Sequence, residues 1–195
     1  VNGRTNVERG RDVRARLLQA ARELVGELGW TAVSTRVLAE RAGVRAGLVH
    51  YHFESLAALL RQAALDEMRR VVAETAAHLK AAADPAAAVG ALVSEVDRYD
   101  GSDPASRLFL EAYLAATRDA VLHDSIAELM KEFRSAVATT LARAGHPDPD
   151  GVAVLLLAVI DGLLLHRGLD PTLSAARIRP LLSQMADTEE NGARQ

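Results

Sequence analysis

Apolar positions along this chain recur at three- and four-residue steps from near its start to near its end, and strict alternation of apolar with polar residues is absent. Leu17, Leu18, Ala21, Leu24, Val25 and Leu28 make one stripe, which predicts a helix over 11–28 with Gly29 as its stop. Ser34 suits an N-cap, because its hydroxyl can accept an amide left orphaned at a helix start. The helix it opens is short, 35–42, and Gly43 can end it in a left-handed conformation. A second short helix is predicted over 46–53. Ser55 then caps a long one, 56–82, in which Leu56, Leu59, Leu60, Ala63, Met68, Val71, Val72 and Leu79 keep the helical period. Asp84–Pro85 and Asp103–Pro104 each set an acidic cap before a proline at the first helical position, predicting helices over 85–99 and 104–116. Further helices are expected over 120–144, 150–168 and within 174–187, where Pro180 marks a kink or the true start. Good helix formers dominate throughout, so the predicted fold class is all-α.

Two short helices joined by a glycine turn are the pattern of a helix-turn-helix. Ala39 stands where the pair would cross, Gly43 permits the turn, and Leu38, Val44 and Val49 face inward. Other kinds of helix pair can also show alanine and glycine at this distance, so the pattern alone leaves both readings open.

Charge adds to this picture. Residues 1–53 hold nine Arg against five Asp or Glu, a sum of +4, whereas residues 54–195 hold fourteen Lys or Arg against twenty-one Asp or Glu, a sum of −7. A basic first quarter on an acidic body suggests that one end meets a polyanion; ordinary scatter is the bland alternative. The absence of cysteine removes disulfides, cysteine-zinc sites and thiol nucleophiles. The N-terminal stretch carries charges but no apolar core of the kind a secretory signal needs. The longest apolar run, 152–165, is too short to span a bilayer and is interrupted by Asp161. A cytoplasmic protein with no membrane partner is therefore expected.

The stretch "STRVLAERAGVRAGLVHYHFESLAALL", residues 34–60, resembles the amino-terminal pattern of the tetracycline-repressor family of bacterial transcription regulators. It has the Ser/Thr cap, the apolar-Ala-x-x-Ala-Gly-Val run, a glycine, an aromatic-rich end and Phe53; Trp30 and the helix before it fit as well. The resemblance covers about the first 60 residues, and beyond them only the helical layout matches. It implies a three-helix DNA-binding head over 1–53 and a larger helical ligand-binding and dimerisation bundle over 54–195. Three positions depart from the family's common residues: Leu48 for Thr, His50 for Tyr and Leu56 for a Lys that meets a DNA phosphate.

By this resemblance, His50, Tyr51 and His52 form the exit edge of a recognition helix at the major groove, where they reach phosphates or base edges. Ala46, Gly47 and Leu48 lie on the same helix. Arg45 at its start can grip guanine O6 and N7 or contact phosphate. Arg36 and the Ser34 hydroxyl are placed for phosphate. The arginine-rich start, Arg4, Arg9 and Arg11, reads either as an arm that enters the minor groove or as an unused tail. Zinc at the histidines is disfavoured, since residues two apart on a helix point about 200° apart. No metal or cofactor is implied.

For the body, the helix over 150–168 is apolar nearly all round and must be covered on several faces. A second copy is the natural cover, with residues 150–187 forming a four-helix homodimer interface and Leu156 and Leu163 meeting the partner. Candidate contacts for an unknown small-molecule effector are Tyr99, Phe109, Tyr113, Phe133, Asp161 and His166, each also readable as core or interface. The expected function is a ligand-responsive transcriptional repressor that binds palindromic operator DNA as a homodimer. The alternatives are an all-helical enzyme, for which Asp161 and His166 are the best pair, and a regulator-like protein that has lost DNA binding, which Leu56 allows.

Overall fold

Three of the helix starts are set by one device, an aspartate cap followed by proline, which satisfies orphan amides and presets the first helical φ. The computed structural model describes residues 6–98, 103–170 and 172–186. Its elements are α1 (Asn6–Leu28), a short 3-10 turn (Trp30–Ala32), α2 (Thr35–Arg41), α3 (Gly47–His52), α4 (Leu56–Ala81), α5 (Pro85–Arg98), α6 (Pro104–Ala116), α7 (Ala120–Arg143), α8 (Pro149–Arg167) and α9 (Ala175–Ala186). The Asp84 carboxylate accepts from the Ala87 amide at 2.7 Å and the Asp103 carboxylate from the Ala105 and Ser106 amides at 2.9 and 3.0 Å. The third case, Asp148 accepting from Gly151 at 3.0 Å ahead of Pro149, lies in a stretch that reads as loop from sequence. Ser55 caps α4 through the Ala58 amide at 3.0 Å.

Two sequence expectations are corrected and a third is narrowed. Helix α1 begins at Asn6, not near residue 11, so Arg9 and Arg11 ride on a helix rather than on an arm, and Arg9 donates to the Asn6 side-chain Oδ1 at 2.7 Å. Arg4 lies outside the described residues. Of the two readings of Pro180, the helix start is excluded, since it lies inside α9. The apolar run 152–165 belongs to a 19-residue helix that is long and apolar enough to cross a bilayer by length and composition alone. Yet Ala153, Leu156, Leu157 and Ile160 on α8 are buried in protein core, so one face is committed to packing within the chain.

The chain divides into two compact units. The first takes the described residues up to Met68 together with Asp103–Ile126. Leu17, Leu24, Val25, Leu38, Val49, Leu59, Leu108 and Leu122 are its largest fully buried side chains among the described residues. Helix α6, read from sequence as part of the second domain, packs along α1 here. The two helices come close because Gly26 is a glycine: a Cβ there would stand 2.6 Å from the Pro104 carbonyl oxygen and 3.2 Å from its Cα. Further along α6, the Glu111 carboxylate accepts from the Trp30 backbone amide at 2.7 Å. At the end of α6, Asp119 caps α7 through Leu122 at 3.1 Å and pairs with Arg61 of α4 at 2.8 Å. The Arg61 guanidinium, then the Leu122 amide, hold the Asp119 carboxyl below the usual range.

The second unit takes the described residues from Arg69 to 98 and from Ala127 onward. Leu79, Val89, Leu92, Val93, Val137, Leu141, Leu156 and Leu182 form its core. The ring of His146, after α7, accepts from the Asp148 amide through Nδ1 at 3.1 Å, and its Nε2 donates to the Met185 carbonyl of α9 at 3.1 Å.

Candidate nucleic-acid interface

The geometry of the α2–α3 pair follows from one glycine. Gly43 adopts φ 64°, a region closed to most side chains but open to glycine. That conformation lets the Val44 amide reach back to the Ala39 carbonyl at 2.9 Å and the Gly43 amide to Glu40 at 3.1 Å. This pair of bonds closes α2 in a Schellman motif and turns the chain toward α3. Ser34 caps the other end of α2, accepting from the Val37 amide at 3.3 Å. Leu38 and Val49 are fully buried and Ala39 nearly so, which holds the two helices together; Val44 is only half-buried.

Burial then decides which face of α3 is free. Val49 and Phe53, four residues apart, point inward. Arg45, Ala46, Gly47, His50 and Tyr51 are exposed, Tyr51 to 81%. A Cβ at Gly47 would meet nothing within 4 Å, so a flat object can approach the helix there. Ser34 and Arg36 at the start of α2 are exposed too. Leu48 and His52 are half-buried at the margins of this face. His52 leans toward α1: its Cε1 would lie 3.8 Å from a Cβ built on Gly10, and the Tyr51 ring meets it edge-on at 5.0 Å. Histidine 50 thus sits on the open surface, and His52 buttresses it.

The supports of this face were invisible in the sequence. The Arg14 guanidinium of α1 lies 4.8 Å over the Phe53 ring and donates to the Gln62 side chain at 2.6 Å, tying the end of α3 to α1 and α4. Arg41 of α2 grips Glu27 of α1 with two bonds of 2.9 and 2.7 Å and reaches Glu23 at 3.3 Å. The Arg41 hydrogen bond holds the Glu27 carboxyl below the usual range. Partners 14 and 18 residues apart leave no periodic signal. Arg41 is therefore occupied within the unit, and the other exposed arginines among the described residues 6–53 are Arg9, Arg11, Arg16, Arg36 and Arg45.

The six candidate effector contacts are dispersed. Phe109 is half-buried and Tyr113 exposed, one turn apart on α6 in the first unit. Phe133 packs against the second unit's core, and Asp161 and His166 are exposed on α8. Tyr99 lies outside the described residues. Asp161 and His166, five residues apart, point about 140° apart around the helix, which is poor geometry for an acid–base pair.

Comparison with known proteins bears on the same surfaces. Residues 17–63 match the family described as "Bacterial regulatory proteins, tetR family", and residues 83–188 match "Tetracyclin repressor-like, C-terminal domain". The chain is similar to an HTH-type transcriptional regulator of Mycobacterium bovis, 30% identical over 192 residues that cover 93% of this chain and 96% of that protein. Among solved structures it is similar to a transcriptional regulator from Streptomyces coelicolor A3(2), at 32% identity and TM-score 0.74, covering 90% of this chain and 99% of that one. It is also similar to the multidrug binding protein EbrR, solved with imidazole, at 31% identity and TM-score 0.67, covering 91% of each chain. Since both family matches coincide with the observed helices, and the open face of α3 falls inside the first of them, the chain belongs to the tetR family: it is a ligand-responsive, DNA-binding transcription regulator and not an enzyme.

Proposed function

We propose that this regulator is a cytoplasmic repressor that binds palindromic operator DNA as a homodimer and is released by a small organic effector. Residues 1–53 are the DNA-contacting domain and 54–195 the ligand-binding and dimerisation domain. The observation that carries the reading is the open face of α3, where Arg45, Ala46, Gly47, His50 and Tyr51 are exposed around buried Val49. Arg45 reads a base edge; Arg36 and Ser34 hold the phosphate backbone; His50 and Tyr51 reach the groove, with Leu48 and His52 at its margins. Support for a small organic effector comes from the similarity to EbrR, a multidrug binding protein. Phe109 and Tyr113 remain proposed contacts on the first unit and Phe133 and His166 on the second, whereas Asp161 is assigned to the outer stripe of α8.

Operator and random DNA titrations at several salt concentrations test this. Arg45→Ala is expected to cost about 1–3 kcal/mol on operator DNA and little on random DNA. Arg36→Ala should weaken both alike and flatten the slope of log affinity against log salt by about 0.9. Equal losses on both DNAs for the two variants would refute the division of roles. Leu56, where relatives of this family carry lysine by resemblance, is half-buried at the start of α4. Leu56→Lys is expected to strengthen both DNAs together and steepen the same slope by about 0.9. An unchanged slope with weaker binding would show that Leu56 serves packing.

The homodimer is proposed to form through residues 150–187. Val154, Leu155, Ala158, Leu165 and Leu169 recur at helical spacing on the side of α8 and its extension away from the core, and all are exposed. A stripe of this length left in water is the mark of a protein contact, and a two-fold partner offers the same stripe in return.

A further inference from the structure

Asp161 stands in the middle of the exposed stripe of α8, between Ala158 and Leu165. All its neighbours one turn away on the helix are apolar: Leu157 and Ala158 before it, Leu164 and Leu165 after it. The carboxylate is in contact with water in the single chain, yet the protein around it already crowds it, and this burial pushes its carboxyl up to about 6. Surface exposure and that shift agree once the site is seen as an acid on an otherwise dry helix face. No neighbouring charge contributes to the shift. Those on the elements packed around it are Asp150, His166 and Arg167 on α8, Arg177 and Arg179 on α9, and Glu128, Lys131, Glu132, Arg134 and Arg143, all exposed, on α7; α5 offers none among its described side chains.

In a two-fold dimer the same patch meets itself, so both copies of Asp161 enter one interface. Covering the stripe withdraws the water that still reaches each carboxylate, and the charged form loses more than the neutral one. We propose that Asp161 makes dimer formation proton-linked, so that the dimer, and with it two-headed DNA binding, tightens as the pH falls. This rests on the reading of residues 150–187 as the homodimer interface. The direction follows from linkage. A carboxyl whose affinity for protons is higher in the dimer than in the single chain favours the dimer at low pH, and that advantage is lost as the pH rises above about 6.

Sedimentation of the full chain between pH 5.5 and 8.5 tests the proposal. The dimer dissociation constant of the wild type is expected to be roughly tenfold or more lower at pH 6 than at pH 8, since each proton taken up contributes up to about tenfold per pH unit. Asp161→Asn, which mimics the neutral acid, should match the wild type at low pH, bind more tightly at pH 8 and show a much flatter profile. Asp161→Leu should dimerise tightly at every pH, which keeps the test valid if the amide variant packs poorly. The difference between the wild type and Asp161→Asn isolates the contribution of Asp161 from that of every other group. A stable wild-type dimer with a flat profile overturns this inference alone. So does an Asp161→Asn dimer weaker than wild type at pH 8, which would make Asp161 half of an ion pair. A chain that stays monomeric at all pH values overturns the homodimer reading itself.

Discussion

Leu156→Asp is expected to unfold the second unit, whereas Leu155→Asp, one residue away, is expected to give a folded monomer. Leu156 is 1% exposed, inside the core formed with Val89, Leu141 and Leu182. Removing it costs about 2–5 kcal/mol in lost transfer energy and cavity, before the penalty of an unpaired carboxylate in the same place. Whole domains are stable by only about 5–15 kcal/mol, so little or nothing remains. Leu155 is 49% exposed on the outer stripe, where an aspartate meets water in the single chain and meets another apolar stripe only in the dimer. Circular dichroism should show a cooperative, wild-type-like melt for Leu155→Asp and a loss of helix for Leu156→Asp. Light scattering should find Leu155→Asp at monomer mass with weakened operator binding. A Leu155→Asp variant that remains dimeric at micromolar concentration would place the interface elsewhere. The sequence alone pointed to Leu156 and Leu163 as the partner-facing pair. The structure turns both toward the core, because the helix has two apolar faces and composition does not say which one the chain itself covers.

Gly26→Ala should lower stability by about 1–3 kcal/mol or more, far beyond what alanine usually does in a helix, where it is favoured over glycine by about 1 kcal/mol. The new Cβ would lie 2.6 Å from the Pro104 carbonyl oxygen, and that obstacle is backbone, which cannot rotate aside. Relief requires α6 to move off α1, straining the bond from the Trp30 amide to Glu111. Chemical denaturation monitored through Trp30, the single tryptophan, reads the effect directly. Gly90→Ala on α5 is the control: a Cβ there meets nothing within 4 Å, so the change should be neutral or mildly stabilising. Equal behaviour of the two variants would show that α1 and α6 tolerate a wider spacing.

Local signals in this chain were legible because their physics is local. The stripe from Leu17 to Leu28 and the Asp103–Pro104 start predicted helices that the structure contains. Gly43 and Ser34 likewise predicted the ends of α2, since a left-handed turn and a cap each need only a few adjacent residues. The stretch from Ser34 to Leu60 also carried enough pattern to indicate the family. Only the tertiary structure decided which cations are free. Arg41 and Arg45 look alike in the sequence, but Arg41 is held by Glu27 and Glu23, and Arg45 is open to solvent. Glu111 reads as a solvated surface acid until it is seen accepting the Trp30 amide, 81 residues away. Periodicity reports which side of a helix prefers protein to water. It carries no record of which distant element arrives there, and that arrival assigned α6 to α1, Leu156 to the core, and Val154, Leu155 and Leu165 to the outside.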